Sequence, residues 1–196
     1  VGQDLQQLTQ RYPCVCLSQS LSMGGPSALD PDVLRDLRVF MATHNVQVFS
    51  EALAWSADDA PLFINLPIPS TQAAVAWTVA RIAHVQEALG LRIGIRNVAH
   101  HMKPLQVDMN EAQFISAVVR ASGCSLHLDL NALAANALRF SFDAHAFLKE
   151  LPLASVDYVR VGSGSPLLAD VLARTHRRVA RCVDDVKQLD LEAVAC

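Results

Sequence analysis

The sequence is low in charge and has neither a cluster of basic residues nor a long apolar run. Only 18% of its 196 residues are charged, and the 16 lysines and arginines are scattered along a chain with a formal net charge of −3. Proteins that bind the phosphate backbone of nucleic acids usually carry basic residues clustered on one face. This sequence has no such cluster, so we expect no nucleic-acid partner. No apolar run approaches the roughly 18 residues of a membrane span, and the first ten residues are polar. Neither a membrane partner nor a signal peptide is therefore predicted.

The cysteines show no sign of a disulfide framework. There are five of them, and an odd number without regular spacing is typical of thiols kept reduced inside the cell. We therefore expect a cytoplasmic protein. A chain of this length, with 52% hydrophobic residues, can bury the core of one domain, and we expect residues 1–196 to form a single domain.

The pattern that is present is an alternation of apolar strands and amphipathic helices. The predicted strands are Cys14–Ser18, Val46–Ser50, Leu62–Leu66, Leu91–Ile95, Ser125–Leu130 and Ser155–Val161. Helices are predicted from Asp30-Pro31, from a cap at Ser70 to a stop at Gly90, over about 110–122, near Asp143–Leu151, and through most of the region after Pro166. Such βα repeats predict an α/β fold with a parallel sheet. Because an eight-stranded barrel typically needs about 250 residues, we predict a TIM-barrel-like but incomplete barrel.

One segment predicts where the functional side chains lie. A helix is expected to stop at Gly123, and the buried strand that follows carries Asp129 and Asn131 to its carboxyl end. Parallel α/β folds place their chemistry at that end of the sheet. Alternation along the strand puts His127 on the same face as Asp129 and brings Asp129 near Arg160 of the next strand.

The chain resembles the multinuclear non-heme iron-dependent oxidative enzymes. These TIM-barrel proteins include the oxidase of methanobactin biosynthesis and other enzymes that modify cysteine in ribosomally made peptides. The resemblance extends from about residue 5 to residue 183 and depends on the order and spacing of several short segments. They are Tyr12-Pro13, Ser20-Leu-Ser-Met-Gly24, Ser50-Glu-Ala-Leu-Ala-Trp-Ser56, Leu66-Pro-Ile-Pro69, Val85-Gln86, Met109-Asn-Glu-Ala-Gln-Phe114, Gly123-Cys-Ser-Leu-His-Leu-Asp-Leu-Asn131 and Leu148-Lys-Glu-Leu-Pro152.

The resemblance implies an iron site, yet many of the family's ligand positions hold other residues here. Leu17, Ala52 and Phe63 stand at three of these ligand positions. Arg96, beside Asn97, replaces a glutamate, and Arg160 replaces a histidine. Arg174, near His176, replaces an aspartate. A multinuclear site must gather several His, Asp, Glu and Asn side chains, so losing this many removes it. Arginine is always protonated and binds no metal. We therefore expect no cofactor, and the surviving ligand types are Asp129, Asn131 and His176.

The two arginines have two interpretations. In the first interpretation, Arg160 forms an ion pair with Asp129 at the former metal site. The pair neutralises the buried charge but adds little to the free energy of folding, because the cost of desolvation offsets the Coulomb attraction. Alternatively, Arg96 and Arg160 bind an anion such as a carboxylate or phosphate, which their planar guanidinium groups suit.

Three functional hypotheses follow. The first is a non-catalytic relative of the iron enzymes that serves as a binding or accessory subunit. The second is an iron-dependent oxidative enzyme that modifies cysteine in a ribosomal peptide, with Asp129, Asn131 and His176 as ligands and His100 or His101 as a further candidate ligand. The third is a metal-free barrel enzyme in which Asp129 or His127 is the general base and Arg96 and Arg160 hold an anionic small molecule. Exposed strand edges are commonly covered by other chains, so we also predict a homodimer or a heteromer with a partner protein or peptide.

Overall fold

A parallel sheet wrapped by helices forms the centre of the molecule. The computed structural model describes residues 2–12 and 14–161. The helices are α1 (Gly2–Arg11), α2 (Pro31–Thr43), α3 (Gln72–Leu89), α4 (Glu111–Ser122), α5 (Leu130–Phe140) and α6 (Ala144–Glu150), with a 3₁₀ turn at Leu153–Ser155. The strands are β1 (Val15–Ser18), β2 (Val48–Ala52), β3 (Trp55–Ala57), β4 (Pro61–Leu66), β5 (Gly94–Arg96), β6 (Ser125–Asp129) and β7 (Val156–Arg160).

Five of these strands build the parallel sheet in the order β1-β2-β5-β6-β7. Each strand pairs in parallel with its neighbours, and helices connect them. This is the βα repeat of an α/β barrel, with five parallel strands in the described residues, and it confirms the predicted fold class. None of the described helices is long and apolar enough to cross a membrane.

The predicted strand at Leu62–Leu66 is real, but its place in the parallel sheet was wrong. It belongs to β4, which pairs antiparallel with β3 in a separate two-stranded sheet. The chain leaves the parallel sheet after β2, makes this hairpin, and returns through α3 to β5. Phe63 of the hairpin has a positive φ of 55° and its side chain is 94% exposed.

Local capping signals place most helix boundaries. Asp30 accepts a hydrogen bond from the Asp32 amide, and Pro31 follows at the first helical position of α2, as the sequence predicts. Asn110 and Gln113 form a capping box at the start of α4. Gly90 and Gly123 end α3 and α4 in the left-handed conformation that glycine adopts without strain. The cap of α3 is Thr71 rather than Ser70.

The hydrophobic core lies between one face of the sheet and the helices. Phe49, Ile95, Leu126 and Leu128 are each at most 1% exposed and pack in one cluster with helix residues such as Ile82. Each such side chain contributes about 1.5–3 kcal/mol when it is buried. Because side chains alternate along a strand, the residues between them point to the opposite face, and this face carries the candidate site.

Candidate functional site at the strand ends

The ion pair predicted between Asp129 and Arg160 is present. Asp129 pairs with Arg160 across β6 and β7, and Arg160 Nη1 lies 3.1 Å from Asp129 Oδ2. The Asp129 side chain is 5% exposed, whereas that of Arg160 is 51% exposed. The pair is therefore only half buried, and a half-exposed pair contributes little stability.

The remaining oxygen of Asp129 caps a helix. Asp129 Oδ1 accepts hydrogen bonds from the amides of Asn131 at 3.0 Å and Ala132 at 2.9 Å, which satisfies the amino end of α5. The prediction that Asn131 lies at the end of the strand with Asp129 was wrong. The strand ends at Asp129 and Asn131 lies in the first turn of α5, because the Asp129 carboxylate starts a helix immediately after the strand.

Asn97 fixes the end of β6 to the end of β5. Its Nδ2 donates to the Asp129 carbonyl at 2.9 Å, and its Oδ1 accepts from the Asp129 amide at 2.8 Å. Asn97 is 3% exposed. An asparagine that bonds to both backbone groups of a neighbour has its amide occupied, so its role here is structural.

Arg96 lies on the same face, one residue before Asn97. It is only partly buried, and its Nη2 donates to the Ser18 carbonyl at 3.3 Å. Its Nε has no hydrogen-bond partner although it is buried. Burial lowers the pKa of Arg96, while the Asp129 carboxylate acts in the opposite direction. Buried polar groups are nearly always hydrogen-bonded, so a buried guanidinium N–H without a partner marks this residue as a candidate for a binding role.

His127 lies beside Arg96 and fills the space above a glycine. The two residues are partners across β5 and β6, and a Cβ added to Gly94 would lie 2.1 Å from the His127 ring. The ring also contacts the Tyr158 ring, at 5.6 Å between centroids. Its Nδ1 is buried without a partner. Burial lowers the pKa of His127 to about 4, so the ring is neutral near pH 7 and is a weak general base.

Glu51 is a buried carboxylate that the sequence reasoning missed, and it lies beside Ile95 on the core face of the sheet, opposite to Arg96 and His127. It is fully buried, its Oε1 accepts from the Leu21 amide at 3.3 Å, and its Oε2 has no partner. Burial raises the pKa of Glu51 to about 7, while Ser18, Leu21 and Arg96 act to lower it. The signal in the sequence is its position at the end of an apolar strand, next to Ala52, but the sequence does not show that the carboxylate is buried.

The described residues do not fit the iron centre that the resemblance implies. Within residues 2–12 and 14–161, no group of three or more His, Cys, Asp and Glu side chains could hold a metal ion. Both oxygens of Asp129 are engaged, and Arg96 and Arg160 bring positive charge to the same strand ends. His176 lies outside the described residues.

His100 belongs to a different environment from the strand ends. It is 7% exposed, its Nδ1 lies 3.4 Å from the Asn65 carbonyl oxygen, and its Nε2 lies 3.6 Å from Glu111 Oε1. Its amide donates to Asn136 Oδ1 at 2.9 Å. His101, by contrast, is exposed. The two adjacent histidines therefore do not act together.

A groove of about 380 Å³ opens beside the strand ends; we call it the acidic groove. Leu53 and Asn97, which follow β2 and β5, form the wall nearest the strand ends. Its apolar lining includes Ile68, Met109, Phe114, Ile115, Phe142 and Phe147. Its polar lining includes His100, Lys103, Asn110, Glu111, Asp143 and Glu150. Neither set was recognised from the sequence, because the residues come from separate loops and helices.

Comparison with known proteins gives a consistent set of bacterial relatives. The chain is 34% identical over 175 residues to a UPF0276 protein of Nitrosospira multiformis, covering 89% of this chain and 62% of the relative. It is 35% identical over 185 residues to a UPF0276 protein of Acinetobacter baylyi, covering 94% of this chain and 63% of the relative. The chain thus spans less than two thirds of the length of these relatives. A UPF0276 protein of Pseudomonas aeruginosa is 32% identical over 196 residues, which is 68% of its length.

Solved structures similar to this chain share its barrel fold. An L-ribulose 3-epimerase superposes with a TM-score of 0.55 at 16% identity, covering 81% of this chain and 55% of the epimerase. A D-psicose 3-epimerase solved with D-fructose gives a TM-score of 0.53 at 14% identity, covering 100% of this chain and 78% of the epimerase. At such low identity the likeness concerns the fold alone.

The family assignment comes from the sequence profile. The profile described as "RiPP precursor modification enzyme MbnB/TglH/ChrH" matches residues 1–195, which agrees with the resemblance drawn from the short segments. This chain belongs to the MbnB/TglH/ChrH family of RiPP precursor modification enzymes.

Proposed function

We propose that this chain is a non-catalytic, binding member of its family, in which the strand ends hold an anionic group in place of a metal centre. The observation that carries the proposal is Arg96, a cation with a buried, unpartnered Nε at a strand end. Guanidinium groups bind carboxylates and phosphates through parallel N–H donors. An anion would satisfy the Nε–H that the protein leaves without an acceptor.

The charge balance of the strand ends supports an anionic ligand. Arg96 and Arg160 carry two positive charges, and Asp129 neutralises one of them. Glu51 is only partly ionised near pH 7, because burial raises its pKa to about 7. The Oγ of Ser50, in β2, is also buried without a partner and would donate to an anion. An anion therefore meets donors and a positive field there.

The first experiment separates this proposal from the metal-dependent alternative. The protein is expressed in iron-supplemented medium, purified without a chelating tag, and its metal content is measured by mass spectrometry. We expect iron and other transition metals near zero. Two or more iron atoms per chain would overturn the proposal and favour the oxidative enzyme that modifies cysteine in a ribosomal peptide.

The second experiment tests the anion directly. Inorganic phosphate and acetate are titrated into the protein in a calorimeter at low ionic strength. We expect binding that weakens by roughly tenfold or more in Arg96→Gln, since a charged hydrogen-bond donor is worth about 1.5–3 kcal/mol. Arg120→Gln, at an exposed position of α4, serves as the matched control. Equal binding by both variants, or no binding by the unaltered protein, contradicts the proposal.

An accessory subunit needs a partner, and the exposed edge at β1 is a surface where a partner could bind. In the described residues β1 lies at an edge of the parallel sheet and pairs only with β2, and its Leu17 side chain is 43% exposed. We propose that this edge is covered in a homodimer or in a heteromer with a partner protein or peptide. Light scattering of the full chain should show a dimer that Leu17→Lys dissociates, while Leu138→Lys, at an 86% exposed position, leaves it intact. A monodisperse monomer argues against the homodimer, and absence of a co-purifying partner from the native host then rejects the accessory role.

A further inference from the structure

The acidic groove has the size and the lining of a small-molecule site. Its volume of about 380 Å³ falls within the roughly 300–1,000 Å³ of typical ligand pockets. Phe114, Ile115 and Phe147 line it and are 3%, 1% and 8% exposed. Met109 and Phe142 are partly buried against the same core. The groove can therefore enclose an apolar ring or chain, which would pack against side chains that are buried in the core.

The charged groups of the groove are mostly acidic. Three carboxylates line it, those of Glu111, Asp143 and Glu150, against the single ammonium group of Lys103. Lys103 Nζ lies 5.8 Å from the centroid of the Phe140 ring, which places this cation beside an aromatic wall. The excess of negative charge favours a ligand with a positive group.

Two of the carboxylates are held in place by hydrogen bonds or by burial. Asn110 Nδ2 donates to both oxygens of Glu150, at 3.0 and 3.3 Å. The Glu111 side chain is 30% exposed, and its Oε1 lies 3.6 Å from His100 Nε2. A partly buried carboxylate is less screened by water than an exposed one, so it attracts a cation more strongly. The groove thus presents fixed acidic groups next to apolar surface.

We propose that the acidic groove binds a small organic cation, in which an apolar ring or chain ends in a primary ammonium group. The apolar part lies on Phe114 and Phe147, and the ammonium group lies between Glu111 and Glu150. This ligand is opposite in charge to the anion proposed for the strand ends, so the two sites are separable by experiment. The two sites are adjacent, because Asn97, which lines the groove, directly follows Arg96 in the sequence.

A pair of probes with one skeleton and opposite charges tests this proposal. 4-Phenylbutylamine and 4-phenylbutyrate are titrated into methyl-labelled protein, and binding is followed by the NMR signals of Met102 and Met109, which both line the groove. We expect the amine to shift these signals saturably and to bind at least roughly tenfold more tightly than the carboxylate, since the partly buried Glu111 and the hydrogen-bonded Glu150 attract the amine and repel the carboxylate. The neutral 4-phenylbutanol should bind with intermediate affinity.

Single neutralising variants identify the groups responsible. Glu111→Gln and Glu150→Gln should each weaken binding of the amine by roughly threefold to fivefold, the range of a partly screened ion pair. Glu87→Gln, on the exposed side of α3 and outside the groove, should leave it unchanged. Met102→Trp, at a half-exposed position, should fill the groove and abolish binding without disturbing the core.

Several results would overturn the proposal. These are equal affinities for the amine, alcohol and carboxylate, no binding of the amine, or equal loss of affinity in Glu87→Gln and the groove variants. Binding that persists in a folded Met102→Trp protein would place the probe elsewhere and would also overturn it. Each variant is checked for folding by its unfolding transition, so that loss of structure is not counted as loss of the site.

Discussion

Replacing Gly94 with alanine tests the close contact between β5 and β6. The new Cβ would lie 2.1 Å from Cε1 and Nε2 of His127 and 2.3 Å from Cδ2, whereas ordinary contacts are 3.4 Å or longer. The ring has to move by more than 1 Å. It is 2% exposed and is held between Gly94 and Tyr158, so this movement disturbs its neighbours.

The expected magnitude follows from two opposing effects. Overpacking a buried site costs about 1–3 kcal/mol, and three close contacts place this substitution toward the upper end. Alanine offsets part of this cost by about 0.5–1 kcal/mol, because it restricts the unfolded chain more than glycine does. We expect a net loss of about 2 kcal/mol in the free energy of unfolding. For a chain of this size, that loss lowers the midpoint of thermal unfolding by about 4–8 °C.

A double-mutant cycle identifies the cause of this loss. His127→Ala removes the ring and has a cost of its own, because it leaves a cavity. In Gly94→Ala/His127→Ala, the new methyl group enters the vacated space, so the double variant should be more stable than the sum of the single losses by about 1–3 kcal/mol. Urea unfolding of the four proteins measures each term. An unchanged midpoint in Gly94→Ala, or strictly additive losses, would refute the contact.

Three further predictions concern other buried polar groups. Burial raises the pKa of Glu51 from an ordinary value near 4.5 to about 7, so between these pH values the folded protein retains a proton that the unfolded chain releases. The free energy of unfolding therefore falls as the pH rises through this window. In urea unfolding, the unaltered protein should lose up to about 3 kcal/mol between pH 4 and pH 8 relative to Glu51→Gln. Asn97→Ala leaves the amide and carbonyl of Asp129 without partners and should lower the free energy of unfolding by about 2–4 kcal/mol; a loss under about 0.5 kcal/mol contradicts the two hydrogen bonds. Asn136→Ala removes the acceptor of the His100 amide and should increase hydrogen exchange there, whereas unchanged protection argues against that bond.

Much of the fold could be predicted because its signals are local. The caps at Asp30, Asn110 and Gly123 act within one helical turn, so the sequence around them is sufficient. The Asp129–Arg160 pair was also predictable, since strict alternation along parallel strands brings these two positions together. The likeness to a barrel family agreed with both inferences.

The errors arose where structure depends on distant partners. The apolar run around Leu62–Leu66 looks the same in a parallel sheet and in a hairpin, and its antiparallel pairing with Trp55–Ala57 decides between them. Helix α5 was missed because Asp129 is both the last residue of a strand and the cap of a helix. No loop residues separate the two elements, so the usual boundary signal is absent.

The position of the candidate residues in the fold was predictable, but their environment was not. Asp129 and Arg160, which follow apolar runs in the sequence, lie at the carboxyl ends of β6 and β7. The importance of Glu51, His127 and the acidic groove depends on burial, and burial is produced by packing between elements far apart in the sequence. A sequence pattern shows which residue types are present, but it does not show which of their atoms lack a partner.

The order of strands in the parallel sheet has a consequence for how the chain is made. In the described residues each strand of the parallel sheet after β1 pairs with the parallel strand that precedes it along the chain, and Ser125 lies 31 positions after its partner Gly94. During synthesis at roughly 5–20 residues per second, such an interval lasts seconds, whereas a helix forms in about a microsecond. Each strand therefore emerges from the ribosome after its partner and the intervening helix have had time to form. The part of the sheet from β1 to β7 can therefore grow by one strand at a time, without waiting for segments that are distant in the sequence.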